Sequence, residues 1–309
     1  MIRTAVSLAA AALLLAACAA PTATTSAAGA SQLCWVEFSR GEVPGALGAA
    51  GATRAVWPNT ASGLLVRHPR GDVLIDAGWS ANALAEMAEL SPQKRPMAER
   101  VIGGLQWRLS APEALRRAGH APQSLAWILP THTHYDHMGG AADLAPTPVL
   151  VAPAERAYLQ AQLRTPDVVA ASNIRAVSPR LRDIAFSARP YLGFDSSFDL
   201  HGDGSVVVVP LPGHTPRSVG VFVTLGTRRV FHIGDAAYVS EAIERGLPKS
   251  AQLRAFADDD GPATDAAVRR LAAFHREHPE IAIVPAHDRE AWQALFGDAP
   301  RCIAANSGG

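Results

Sequence analysis

THTHYDHMGG, residues 131–140, carries His132, His134, Asp136 and His137 within six positions. The run before it, SLAWILP (124–130), is apolar and too short for a typical helix, so it reads as a buried strand. Met138, Gly139 and Gly140 follow and break that strand. The four polar residues therefore stand on a loop at a strand's end, where function concentrates. Imidazole nitrogen and carboxylate oxygen are the donors a borderline-soft divalent ion such as zinc accepts. His132 and His134 alternate around Thr133, so in extended backbone they point the same way. Asp136 and His137 lie past the bend and can face another direction. One short loop can thus feed two adjacent metal positions. A histidine-rich surface loop is the bland alternative, and four donors on a strand-to-glycine turn argue against it.

The stretch resembles the HxHxDH signature of the metallo-β-lactamase superfamily. The resemblance continues downstream and spans roughly residues 60 to 290. PGHTPRS offers His214 after SVVVVPL, HIGDAAY offers Asp235 after RRVFHIG, and VPAHD offers His287 after IAIVPA. All three stand in the family's order, each behind a strand-like run. The resemblance implies an α+β fold, the four-layer αββα sandwich. It implies two zinc ions, other divalent transition metals being able to replace them. His132, His134 and His214 would hold one ion, Asp136, His137 and His287 the other, and Asp235 would bridge. A hydroxide between the metals would be the nucleophile, with the second metal polarising a carbonyl or phosphoryl oxygen. No serine nucleophile elbow, Walker loop or Rossmann glycine pattern competes with this reading.

Ligand identity separates branches of the family. The di-iron oxygen-reducing branch has Glu where this chain has His134, which argues for hydrolysis over redox chemistry. Several β-lactamase groups lack the bridging Asp, so Asp235 counts against a β-lactam specialist. N-acyl homoserine lactone lactonases carry a tyrosine at the offset of Tyr238. Tyr238 is either an oxyanion donor or a packing residue. Asp136 and Tyr238 are the catalytic candidates by this resemblance. Asp288 after the last histidine is also lactonase-like, whereas Arg217 replaces the glycine common in PGHTPG and is expected to shape the pocket mouth. The resemblance therefore implies a metal-dependent hydrolase opening a lactone or a related ester. A β-lactamase-like, phosphotriester or thioester hydrolase on the same metals is the alternative. A metal-binding envelope lipoprotein without catalysis is a third.

The chain has 309 residues, 48% of them hydrophobic, and a net charge of +0. That is enough for one large core or two small ones, and it provides no strong field for nucleic acid or anionic membrane. The expected partner is a small molecule. Arg3 followed by the apolar run 5–17 reads as a signal peptide over 1–17. LAAC (15–18) resembles a bacterial lipobox, with cleavage before Cys18 and lipid on its thiol; an ordinary signal peptide cut near Ala20 is the alternative. Residues 18–31 then form a flexible tether, and 32–309 the hydrolase domain. Ala19 lacks the aspartate of inner-membrane retention, which favours a periplasmic protein on an outer-membrane anchor. In an exported chain Cys34 and Cys302 can form a disulfide or remain two free thiols.

In chain order, 62–78 reads as a hairpin around PRG. Asp76 at its end either braces a ligand histidine or forms a turn. Residues 81–118 read as helix-rich. PVLVA (148–152) reads as a strand and 153–164 as a helix. Residues 165–204, with Phe186, Tyr191, Phe194 and Phe198, read as irregular and near the site. SVVVVPL, VGVFVTL, RRVFHIG and IAIVPA read as strands, with His232 a core histidine. DDD (258–260) reads as a solvated loop, 263–277 as a helix capped by Thr264, and 288–296 as a final helix.

Overall fold

A computed structural model describes residues 29–305. The expected signal peptide, the lipobox at Cys18 and most of the tether lie outside the described residues.

Seven strands in chain order open the first sheet: β1 (Gln32–Pro44), β2 (Val56–Arg67), β3 (Asp72–Ile75), β4 (Leu105–Arg108), β5 (Leu125–Leu129), β6 (Val149–Val151) and β7 (Leu181–Asp183). The second sheet takes β8 (Phe198–Asp199), β9 (Val206–Pro210), β10 (Val219–Leu225), β11 (Arg228–His232) and β12 (Ile281–Val284). The chain then returns to the first sheet as β13 (Cys302–Ala304), beside β1.

Period-two alternation decides how the sheets stack. Val206 and Val208 face the first sheet and pack with Leu33, Trp35, Leu64 and Val73. Val207 and Val209 face the other way, onto the helices Ser240–Arg245 and Gly261–Glu277 through Ile243, Val268 and Leu271. The outer face of the first sheet packs Val36, Leu65 and Leu74 against the helix Ala111–Arg117 and its neighbours. Helix, sheet, sheet, helix is the αββα sandwich. Strand side chains project to opposite faces, so each all-apolar run feeds two cores at once. That is why these strands read as continuous hydrophobic stretches.

Strand direction positions the site. β3, β5 and β6 run parallel. β9 and β11 both run antiparallel to β10, and β12 runs parallel to β11. The loops after β3, β5, β9, β11 and β12 therefore leave from C-terminal strand ends gathered along one edge of the sandwich.

Several expectations are corrected. The helix-rich region 81–118 holds the helices Ala83–Met87, Arg95–Gly103 and Ala111–Arg117, but Leu105–Arg108 within it is a strand on β1. Helix Gly261–Glu277 is capped by Asp260, whose carboxylate accepts from Ala263 N at 2.9 Å, not by Thr264. Thr264 is instead buried within its first turn. Tyr191 and Phe194 pack edge-on against Phe222, and Phe186 and Phe198 pack on the inter-sheet core. That segment fills the interior and does not line the cavity described below.

Cys34 and Cys302 form a disulfide across the pair β1/β13. It closes a loop of 268 residues, and cross-linking so distant a pair removes unfolded-chain entropy. Cys302→Ser is expected to lower stability by about 2–4 kcal/mol, seen as a lower urea midpoint with unchanged turnover.

Candidate metal centre

Each ligand side chain is delivered by a strand end. β5 runs into the loop holding His132 to His137, β9 into His214, β11 into Asp235 and β12 into His287. Two glycines make the approach possible. At Gly213, φ is +139° and a Cβ would meet Thr264 N at 2.5 Å. At Gly140 a Cβ would meet Ala77 O at 2.2 Å. The backbone bends at the first and lies flat against the β3 exit at the second, neither of which a side chain permits.

The structure brings all seven expected ligands together. His214 Nε2 lies 3.1 Å from His132 Nε2 and 3.1 Å from His134 Nδ1. His137 Nε2 lies 3.4 Å from His287 Nε2. Asp136 Oδ2 is 3.5 Å from His287 Nε2. Asp235 stands between the groups, with Oδ1 3.1 Å from His137 Nε2, and Oδ2 3.2 Å from His287 Nε2 and 3.4 Å from His214 Nε2. All seven are buried except Asp136, which is partly open.

This geometry fits cations. Three imidazole nitrogens meeting at hydrogen-bond distance cannot be satisfied by one another, because a neutral imidazole has only one N–H. Burial and the neighbouring imidazoles hold His132 and His134 well below the ordinary histidine range, so their lone pairs are free. Burial opposes charge on His137 and His287, yet the surrounding carboxylates, Asp235 and Asp136 for both and Asp76 also for His137, together more than offset it and draw both upward. The cluster as folded attracts positive charge. His134 Nε2 is buried with no hydrogen-bond partner, and Asp235 Oδ1, despite its 3.1 Å approach to His137 Nε2, makes no aligned hydrogen bond. The triplets His132/His134/His214 and Asp136/His137/His287 each offer ligand atoms within 4.8 Å of one another, and Asp235 groups with His132 and His137.

The bracing residues explain why the cluster holds. Asp76 is buried with φ +59°, a backbone state that Asp and Asn tolerate better than most residues. Its carboxylate accepts from Thr131 N at 2.7 Å and pairs with His137 Nδ1 and His232 Nε2, both at 2.9 Å. Burial would push its carboxyl up; the two imidazoles more than offset this and hold it well below the carboxylate range. Asp76 thus takes the bracing role, and His232 is a core histidine that completes it. His287 Nδ1 faces Thr60 O at 2.7 Å, and His214 Nδ1 faces Asp258 Oδ1 at 2.7 Å. Each contact leaves the opposite ring nitrogen for the cluster.

Three of these supports escape a reading of the sequence. Asp258 is not solvated: its side chain is 1% exposed and pairs with the equally buried Lys249 at 2.6 Å. Glu155 is buried and accepts from Thr133 Oγ1 at 2.8 Å and Thr215 Oγ1 at 2.9 Å, tying the β5 and β9 loops to each other. Lysine itself is the available signal. Of the 28 basic residues 26 are arginine, and only Lys94 and Lys249 are lysine.

Tyr238 is buried, its ring stacked on His287 with centroids 5.1 Å apart. Burial and Asp235 keep its phenol protonated, and it hydrogen-bonds that carboxylate. Asp288 caps the helix Arg289–Phe296 and accepts from Ser240 N at 2.7 Å, a structural role. Arg217 is exposed and does not line the cavity, contrary to expectation, because the β9 loop turns its side chain outward. That cavity is about 340 Å³ and reaches the His/Asp cluster at His134, Asp136, Asp235 and His287, with Tyr238 beside them. Its outer walls are mainly apolar, among them Leu47, Met97, Val101, Leu253 and Phe256.

A family model described as the metallo-beta-lactamase superfamily matches residues 56–287. A probable metallo-hydrolase of Mycobacterium tuberculosis is 28% identical over 241 residues, covering 74% of this chain and 75% of its own. The N-acyl homoserine lactonase AttM of Agrobacterium fabrum is 25% identical over 245 residues, covering 78% and 86%. Among solved structures, a Bacillus thuringiensis AiiA variant with N-decanoyl-L-homoserine at its active site superposes with a TM-score of 0.63 at 19% identity. That match covers 86% of this chain and 96% of the other. AidC, a dizinc quorum-quenching lactonase in complex with a product, gives 0.58 at 13% identity, covering 84% and 88%.

Asp76→Asn keeps the tolerated backbone state and removes the charge behind His137. It is expected to weaken metal affinity by about 10–100-fold, measured by competition with a chromophoric chelator.

Proposed function

The chain belongs to the metallo-β-lactamase superfamily and is a metal-dependent hydrolase; from that premise we propose that it opens a lactone, or cleaves a related ester, bearing an apolar acyl chain. The observation that carries the reading is Tyr238 at the floor of a largely apolar cavity that ends on the seven-ligand cluster. The similarity to AttM supports the same substrate class.

His132, His134 and His214 would hold one zinc ion, Asp136, His137 and His287 a second, and Asp235 would bridge them. When bound, the pair supplies an acidified water and a Lewis acid for the carbonyl oxygen. The chain's own residues do the rest. Leu253, Phe256 and Val101 take the acyl chain out of water and expose the carbonyl to the cluster. The Tyr238 hydroxyl donates a hydrogen bond to the oxygen on which negative charge develops. Water oxygen bonds the carbonyl carbon and the ring acyl–oxygen bond breaks. Asp136, the ligand open to the cavity, accepts the water's proton and returns it to the leaving alkoxide. The product is a hydroxy acid.

Export belongs to the same proposal. The disulfide suits an oxidising compartment, and the leader with LAAC at 15–18 supports a lipid on Cys18, periplasmic placement and an outer-membrane anchor. Among the described residues no helix is long and apolar enough to cross a membrane. Cys18→Ser is expected to move the expressed protein from the membrane fraction to the soluble fraction; retention on membranes would reject the anchor.

Purified, zinc-loaded protein is expected to release acid from N-acyl homoserine lactones, with chelation abolishing and zinc restoring turnover. His134→Ala should abolish hydrolysis with the circular dichroism spectrum preserved. Tyr238→Phe should lower kcat on the order of 10²-fold, as for loss of one oxyanion donor. Turnover of phosphotriesters, thioesters or nitrocefin without any lactone would sink the lactone assignment.

A further inference from the structure

The helix Ala251–Ala257 forms one wall of the cavity through Gln252, Leu253, Phe256 and Ala257. Its two flanks are joined to each other. Lys249 lies just before its cap, Asp258 just after its last residue, and Lys249 Nζ meets Asp258 Oδ1 at 2.6 Å. Both side chains are 1% exposed. The same Asp258 oxygen faces His214 Nδ1 at 2.7 Å, and Lys249 Nζ stands 3.1 Å from that nitrogen. The ammonium also sits 4.7 Å from the centre of the Tyr238 ring. The wall is therefore mounted on the back of one expected ligand.

The second lysine serves the same helix. Lys94 Nζ donates to Phe256 O at 2.5 Å and lies over the Phe256 ring at 5.5 Å. In a chain that otherwise uses arginine, both lysines hold this one element. At Lys249 the reason is geometric. An ammonium is a compact point donor, whereas a planar guanidinium needs a wider, forked slot. Breaking a buried pair leaves the other charge uncompensated, so Asp258 cannot hold the His214 ring and close the helix without its partner.

We propose that Lys249 is a positioning residue coupling metal occupancy at His214 to the placement of the substrate wall 251–257. The inference rests on the proposed metal pair. A cation on His214 Nε2 fixes the ring, the ring fixes Asp258, and Asp258 with Lys249 fixes both ends of the helix. A loaded centre thus carries a formed acyl cavity, and an empty one carries a loosened wall.

The test reads hydrogen exchange over 251–257 and zinc stoichiometry, neither of which needs substrate. In the wild-type protein, removing zinc should speed exchange across 251–257 and adding it back should restore protection, with the helix Arg289–Phe296 unmoved. Lys249→Met should loosen 251–257 even with zinc present and weaken one of two zinc equivalents about tenfold. It should also raise KM for long-chain substrates more than for short ones, with a smaller change in kcat. Lys94→Met, a contact on the same helix that does not touch His214 or Asp258, should loosen the helix and, because coupling is reciprocal, weaken zinc affinity, but less than Lys249→Met does. Exchange over 251–257 that ignores zinc in the wild type would overturn the coupling, and that arm stands even if Lys249→Met does not fold. Unchanged zinc affinity in a folded Lys249→Met would overturn it too. A wild type that binds no zinc would overturn this inference and the proposed function together, whereas two zincs with no lactone turnover would overturn the substrate alone.

Discussion

Imidazole nitrogens that crowd together without protons to share set the terms for the rest of this molecule. His132, His134 and His214 meet at 3.1 Å, and the Asp235 carboxylate adjoins both halves of the cluster. Such a group is unfavourable alone and favourable around cations, since buried unpaired polar atoms are costly. The surroundings meet that cost in advance. Asp76, Asp258, Thr60 and Glu155 each fix a ligand ring or the loop that bears it. They reach it from β2, β3, the helix Pro153–Gln162 and the end of the helix Ala251–Ala257. A centre braced from so many elements exists only when both sheets are stacked.

What could be read from the sequence follows physical rank. Ligands stand at strand ends because that is where parallel neighbours converge, and each ligand carries a short apolar run before it. Val206 to Val209 announce a strand buried on both faces, and the two faces do feed separate cores. Asp76 could be read as a brace or a turn, and it serves as a brace in a left-handed backbone state. The supports that escaped have no local pattern. Asp258 sits among three acids that look solvated, and only the fold supplies the lysine and histidine that bury it. Thr264 looked like a cap because Thr caps helices, but Asp260 lies one turn earlier and takes the role. β4 is a four-residue strand on an edge of β1, too short for its period to outweigh helix-forming neighbours.

The cavity and the centre share components. Tyr238 stacks on His287, hydrogen-bonds the Asp235 carboxylate, and has the Lys249 ammonium on its ring. Trp57, a wall residue, donates from its indole nitrogen to the His287 carbonyl at 3.1 Å. Walls and ligand side chains are thus bonded to each other, so substitutions that reshape the cavity also act on the His/Asp cluster. Selection for a different substrate would meet this coupling first at Trp57 and Tyr238.

The pairing of β1 with β13 has a consequence for orientation. Gln32 and Ala304 lie side by side, at the end of the sheet where Arg67 closes β2. From there β1 runs to Glu42 and Val43 at the cavity, ten positions on and about 30 Å away at the usual strand rise of about 3.3 Å. Both ends of the described chain therefore emerge at the pole remote from the cavity. A protein held by either end, on a bilayer, a bead or a fusion partner, presents its opening to the bulk solution, where a diffusing substrate arrives unobstructed.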